Sequence, residues 1–182
     1  PPVQMFLNPF HACYNTPMSF TEQKFTIPPL KGISQKNIEE HLKLYAGYVK
    51  HANLILEEIK KGAAGDYALA EMQRRFSFEF NGMVNHEYYF ESFLGGAKPS
   101  AEADALRAAL AREWGSFDVW LARFKVVAAT RGVGWAMLSY DPLAKRLLHA
   151  WVDEQHLGQL NGCKTIIALD MWEHAYVADY QP

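Results

Sequence analysis

The segment Asp170-Met171-Trp172-Glu173-His174-Ala175-Tyr176 sets a carboxylate, an imidazole and two large aromatics side by side. Aspartate and histidine are ordinary ligands of a borderline transition metal, and a tryptophan beside them can supply the dry wall that tunes redox chemistry. Two ligands do not hold such an ion, and an Asp-x-x-x-His pair by itself also reads as a solvated or core pair. Two further donors are therefore required. His41 falls in a stripe with Ile38, Leu42 and Tyr45 at helical spacing, where an imidazole has to be satisfied or metallated. His86 follows Asn85 in the aromatic-rich run from Phe80 to Phe90. Alone, each of these histidines reads as a structural core residue. Together, one imidazole on each arm of a helical hairpin can face the Asp170/His174 pair at the end of a strand. That makes a His3Asp set with room for one solvent molecule.

Such a set demands rigid elements to carry it. From the cap candidate Ser34 to about residue 61, apolar or aromatic positions recur at Ile38, Leu42, Tyr45, Val49, Ala52, Leu56 and Ile59, the spacing of an amphipathic helix. Gly62-Ala63-Ala64-Gly65 breaks it, and a second helix is predicted over much of residues 66–94, before Gly95-Gly96 and Pro99. A short turn between long helices predicts an antiparallel hairpin. Residues 101–114 and 117–131 read as two more helices, with Ser116 as the second cap. Short apolar runs at 134–140, 147–152 and 165–169, separated by Asp-Pro and Gly-containing turns, predict a three-stranded sheet. The fold class is thus α+β: a long N-terminal α-hairpin, then a C-terminal domain with a three-stranded antiparallel sheet and helices. The expected division is an extended arm over 1–29, a hairpin domain over 30–96 and an α+β domain over 97–182.

Composition narrows the function classes. The chain has 182 residues, 49% of them hydrophobic and 14% aromatic, enough for a sizeable core. A net charge of -2 gives no general basic surface for nucleic acid, and no apolar run reaches the roughly 18 residues needed to cross a bilayer. Cys13 and Cys163 have no CxxC spacing, so neither a zinc knuckle nor a disulfide framework is implied. Residues 1–29 hold most of the prolines and lack the pattern of a secretory signal, which makes the cytoplasm the expected compartment, with a processed organellar form as the variant.

The block from Asp170 to Tyr176 resembles the D-x-W-E-H-A-Y signature of the iron/manganese superoxide dismutases. Four more segments resemble motifs of that family in the same order: residues 33–49 around His41, Phe80-Asn81-Gly82 with Asn85-His86, Trp114-Gly115-Ser116-Phe117-Asp118, and Gly132-Val133-Gly134-Trp135. The resemblance implies His41, His86, Asp170 and His174 as ligands of one iron or manganese ion per subunit, with superoxide as substrate. It implies that Gln155 contacts the solvent ligand, with His156 as the fallback, and that Trp135 and Trp172 line the site. The iron-type alternative places that glutamine three residues before the Asn-His pair. Here Gly82 stands there, which leans the pattern to the manganese type. Glu173 is implied to cross a twofold interface to the partner's His174, so a homodimer is expected.

The neighbourhood of the ligands departs from the family. Tyr48 resembles the tyrosine at the mouth of the substrate funnel, yet it follows His41 by seven residues where eight are usual. Loss of a local bulge in that helix would restore the geometry; the alternative puts Val49 at the gateway and Tyr48 in the core. Tyr45 and Val177 replace a histidine and a tyrosine that meet across the family's subunit interface. Asn81, His11, His51 and His149 read as surface or structural groups. The family usually continues for another helix beyond the signature; either that helix is lost here, or the proline-rich first 29 residues cover the same surface. Two other functions stand beside the dismutase: a catalytically weak or inactive metal-binding or interaction protein of the same family, and a metal-dependent hydrolase, for which no HExxH motif speaks.

Overall fold

A computed structural model describes residues 19–96 and 101–181. His11, Cys13, Pro99 and the first part of the expected arm lie outside those residues. Helix α1 is Gln35–Lys61; the Ser34 hydroxyl accepts the Asn37 N–H at 3.1 Å, and Gly62 closes the helix at φ 63°, the left-handed geometry glycine adopts freely. Its buried stripe is Ile38, His41, Tyr45, Val49 and Ala52, with Asn37 at its head. Helix α2, Asp66–Glu91, packs antiparallel to it. It stops three residues short of the expected end, because the chain turns through left-handed Gly95 and Gly96 and the preceding residues already belong to that turn.

Helices α3 (Ala101–Trp114) and α4 (Phe117–Ala128) follow, α4 opened by the Ser116 hydroxyl accepting the Val119 N–H at 3.1 Å. The expected extension of α4 to residue 131 does not occur. The Ala129 N–H closes the last turn on Lys125, and Gly132, at φ 148°, redirects the chain into the sheet.

Strands β1 (Gly134–Asp141), β2 (Arg146–Asp153) and β3 (Lys164–Asp170) form an antiparallel sheet in the order β2-β1-β3. Each runs slightly past its apolar stretch, since ladder hydrogen bonds need backbone groups and not apolar side chains. Asp170 thereby becomes the last residue of β3, paired with Trp135 of β1.

The central strand is buried on both faces. Trp135 and Met137 point to one side and join Tyr45, Val49, Met83, Tyr89 and Phe90 of the hairpin. Ala136 and Leu138 point to the other and join Leu110, Trp120 and Phe124 of α3 and α4. Burying each such large apolar side chain contributes roughly 1.5–3 kcal/mol, so β1 is locked in register between two layers.

Both ends of the described chain are tied to the hairpin. Phe20 exchanges hydrogen bonds with the Asn53 amide at 2.7 and 2.9 Å, and the Phe25 ring meets Tyr45 and Phe90. This part of the arm lies against the helices. After β3 comes a single 3-10 turn, Glu173–Ala175. Beyond it, Asp179 accepts the Ser34 N–H at 2.7 Å and the Tyr180 hydroxyl donates to the Gly32 carbonyl at 2.6 Å. These clasps hold the turn carrying His174 against the start of α1.

Candidate metal centre

The four donors come from four elements: His41 from α1, His86 from α2, Asp170 from the end of β3 and His174 from the turn after it. His41 and His86 are fully buried, Asp170 is 3% exposed and His174 partly exposed. The Nε2 atoms of His41, His174 and His86 lie 3.0, 3.2 and 3.6 Å from Asp170 Oδ2. Two donors each bound at ~2.1 Å and separated by 90–120° stand roughly 3.0–3.6 Å apart, so the spacing matches a shared first-row ion.

The protons point the same way. His86 Nδ1 lies 2.6 Å from the Gly82 carbonyl, which can only accept, so Nδ1 carries the hydrogen and Nε2 presents a bare lone pair. That lone pair faces the Asp170 carboxylate with no donor between them, and His86 Nε2 is a buried atom without a hydrogen-bond partner. A cation at the focus of the four donors removes the conflict. Burial pushes the His86 imidazole down to about 3, against the opposing pull of Asp170, and burial lowers His41 as well. Burial alone would raise Asp170, but hydrogen bonds from His174 and His41 and the nearby His86 hold it well below the carboxylate range. The donor set is three neutral imidazoles and one carboxylate, a borderline-to-hard combination suited to iron or manganese.

A chain of hydrogen bonds flanks these donors. The Trp135 indole N–H donates to Gln155 Oε1 at 2.9 Å, and Gln155 Nε2 donates to the Tyr48 hydroxyl at 3.0 Å. Asn85 holds the Gln155 carbonyl at 2.9 Å and is itself held by Gln159 at 3.2 Å. Gln155 is fully buried, and the Tyr48 ring stands 5.1 Å from the His86 ring. Burial first, then the Asp170 charge, pushes the Tyr48 phenol up to about 12, so it keeps its proton. Tyr48, and not Val49, thus turns its polar end to Gln155; Val49 sits in the core.

The other expected positions divide. Trp135 meets His86 edge-on at 5.0 Å, and Trp172 stacks on His174 at 5.7 Å while its backbone N–H donates to Asp170 Oδ1 at 2.8 Å. That contact occupies one carboxylate oxygen and leaves Oδ2 to the imidazoles. Tyr45 turns away from the ligands: its hydroxyl donates to Glu87 and accepts the Gln23 N–H, both at 2.9 Å. His156 packs against Phe78 at 5.7 Å, outside the converging group, and Glu173 is exposed.

Four residues at the site are not singled out as site residues from the sequence. Tyr89 and Phe90 pack on the His41 ring at 5.1 and 5.0 Å, and Asn85 and Gln159 fix Gln155. Only the adjacency of Asn85 to a ligand offered a signal.

A helical hairpin laid on a three-stranded sheet around a buried group of three imidazoles and a carboxylate is the build of a mononuclear metalloprotein. Residues 102–182 match the family described as iron/manganese superoxide dismutases, C-terminal domain. The chain is 36% identical over 157 residues to the superoxide dismutase [Fe] of Cupriavidus metallidurans, covering 83% of this chain and 78% of that one. It is 32% identical over 178 residues to the superoxide dismutase [Fe] of Pyrobaculum aerophilum, covering 88% and 82%. It is 36% identical over 152 residues to the superoxide dismutase [Mn] of Nocardia asteroides, covering 81% and 72%. The chain belongs to the iron/manganese superoxide dismutase family and is an enzyme of that type. No helix among the described residues is long and apolar enough to cross a membrane.

Proposed function

We propose that this chain converts superoxide to dioxygen and hydrogen peroxide at one iron or manganese ion held by His41, His86, Asp170 and His174. The observation that carries this is the convergence of three imidazole nitrogens on one buried carboxylate oxygen. Bound there, the ion supplies one-electron redox cycling: two superoxide anions and two protons give one dioxygen and one hydrogen peroxide.

The chain's own residues do the rest. Gln155, pinned at its amide oxygen by Trp135 and at its backbone carbonyl by Asn85, aims its amide N–H at Tyr48. The Tyr48 hydroxyl accepts that bond and retains its own proton, which leaves a protonated donor beside Gln155. Trp135 and Trp172 exclude water around His86 and His174. Gly82 supports Gln155 as the carboxamide that meets Tyr48: a Cβ at position 82 would stand 2.5 Å from the Tyr48 ring, so no glutamine fits there.

We further propose a homodimer with an antioxidant role, and a division into a hairpin domain over 30–96 and an α+β domain over 97–182. An apolar hollow formed by Leu44, Val177 and Ala178 beside His174 supports the subunit contact, with exposed Glu173 reaching the partner's His174. Metal analysis of protein from cells supplied with both metals, followed by superoxide turnover of each metal form, tests the function. Turnover with stoichiometric iron or manganese is expected. Bound metal without turnover would favour the inactive-relative reading, and stoichiometric zinc with esterase activity the hydrolase.

A further inference from the structure

The ion pair of Arg75 and Glu79 stands outside the hydrogen-bond chain described above, yet it borders Tyr48. Glu79 is 4% exposed; its Oε1 accepts from Arg75 Nε at 2.8 Å and lies 2.8 Å from the second guanidinium nitrogen, and its Oε2 has His51 Nδ1 at 3.9 Å. A carboxylate this dry is costly unless paired, and its partners here are a half-exposed guanidinium and an exposed imidazole. The guanidinium carbon lies 3.7 Å from the centroid of the Phe78 ring, which packs against Tyr48 at 6.0 Å and His156 at 5.7 Å. The pair is therefore oriented, with Glu79 inward and Arg75 toward solvent at the rim. Through the Phe78 ring the pair is coupled to Tyr48, and its two charges act on the Tyr48 phenol in opposite directions, Glu79 raising it and Arg75 lowering it.

We propose that Arg75 and Glu79 set the affinity of the Tyr48 mouth for small anions, Arg75 drawing them in and Glu79 opposing them. The pair is then a specificity-determining element for an anionic substrate in a chain whose net charge of -2 offers no general attraction. This rests on Tyr48 standing at the mouth of a superoxide site.

The sign of the effect is the test. Azide affinity of the manganese-loaded protein, read by spectral titration, is compared with kcat/KM for superoxide at low and high ionic strength. Glu79→Gln keeps an acceptor for Arg75 and removes the charge; it should tighten azide and raise kcat/KM by roughly two- to fivefold with kcat unchanged. Arg75→Gln should shift both by a similar factor in the opposite direction, and Arg75→Lys should recover most of the loss. Arg146→Gln, which removes the same charge from an exposed pair with Glu113 at the far end of β2, should change neither. Shifts of the same sign in the two main variants, shifts no larger than with Arg146→Gln, or a lysine as weak as the glutamine would each overturn the proposal. Should Glu79→Gln not fold, the glutamine and lysine variants of Arg75 still decide it. A wild-type protein without superoxide turnover would refute the functional reading alone, since azide affinity is measured independently.

Discussion

Gly82 is the position at which one methyl group should separate packing from metal binding. A Cβ built there meets three atoms of the Tyr48 ring at 2.5, 2.7 and 2.9 Å. Forcing a side chain into a packed site costs typically 1–3 kcal/mol, and three contacts under 3 Å put this case in the upper part of that range. Against it runs the helix-interior preference for alanine over glycine, about 1 kcal/mol. Gly82→Ala should therefore destabilise the protein by about 1–2 kcal/mol in urea unfolding of the apoprotein followed by far-ultraviolet circular dichroism. With Tyr48→Ala the obstruction is gone, and the same substitution should stabilise by about 1 kcal/mol. The cycle then yields a coupling of about 2–3 kcal/mol between the two positions. Because the Gly82 carbonyl that orients His86 is retained, metal content should stay at one ion per subunit while turnover falls as the Tyr48 hydroxyl leaves Gln155. Equal effects of Gly82→Ala in both backgrounds, or a stabilised single variant, would refute the steric reasoning.

Removing the shared oxygen, as in Asp170→Ala, should leave less than about a tenth of the metal by elemental analysis, since all three imidazoles converge on it. Gln155→Leu strands the fully buried Trp135 N–H and should cost about 1–3 kcal/mol in denaturant; it also deletes the bond that lowers the Tyr48 phenol, so ultraviolet titration should find that phenol pushed further up than in the parent. The apoprotein should lose stability on acidification. His86 is held neutral down to about 3 in the folded state, whereas the unfolded imidazole takes a proton below its ordinary 6.5, so stability present above 6.5 drains away as pH falls toward 3. At pH 5 the loss from His86 is about 2 kcal/mol, and His41 adds to it in the same direction. A urea midpoint for the apoprotein that is unchanged between pH 7 and pH 5 would contradict this.

The fold was legible where periodicity had one physical cause. The α1 stripe and the Ser34 cap mark a helix because burial repeats every three or four residues, and the helix runs as expected. The ends of α2 and α4 were not legible, since apolar residues continue past both and the stops come from glycine backbone geometry further on. At the site, the donor types and the block around Asp170 were visible in the chain. Gln159 was not: its whole role lies in a contact 74 residues away, and no local pattern marks a residue that acts through Asn85. Tyr45 illustrates the converse. It stands one turn after His41, where the family has a histidine, yet a long side chain on a helix can lean to either flank. The arm supplies the partner that decides the direction, drawing its hydroxyl to the Gln23 N–H and Glu87.

The seven-residue interval between His41 and Tyr48 explains why Gly82 is required. In an unbroken helix seven residues turn the chain through roughly 700°, within about 20° of two full turns, so the two side chains share a face. Helix α1 is unbroken over Gln35–Lys61, and Tyr48 accordingly follows His41 toward α2. An interval of eight would swing the tyrosine by about 100° and need a bulge to bring it back. The straight helix instead lays the ring across α2, where position 82 faces it, and only a residue without Cβ leaves the space. The carbonyl at position 82, which any residue would offer, meets His86 Nδ1 at 2.6 Å and fixes that tautomer whatever the packing of Tyr48. Helix length and glycine are thus one constraint: inserting a residue between His41 and Tyr48 should displace the ring from Gly82 and relieve the penalty of Gly82→Ala, although the two sites are far apart in sequence.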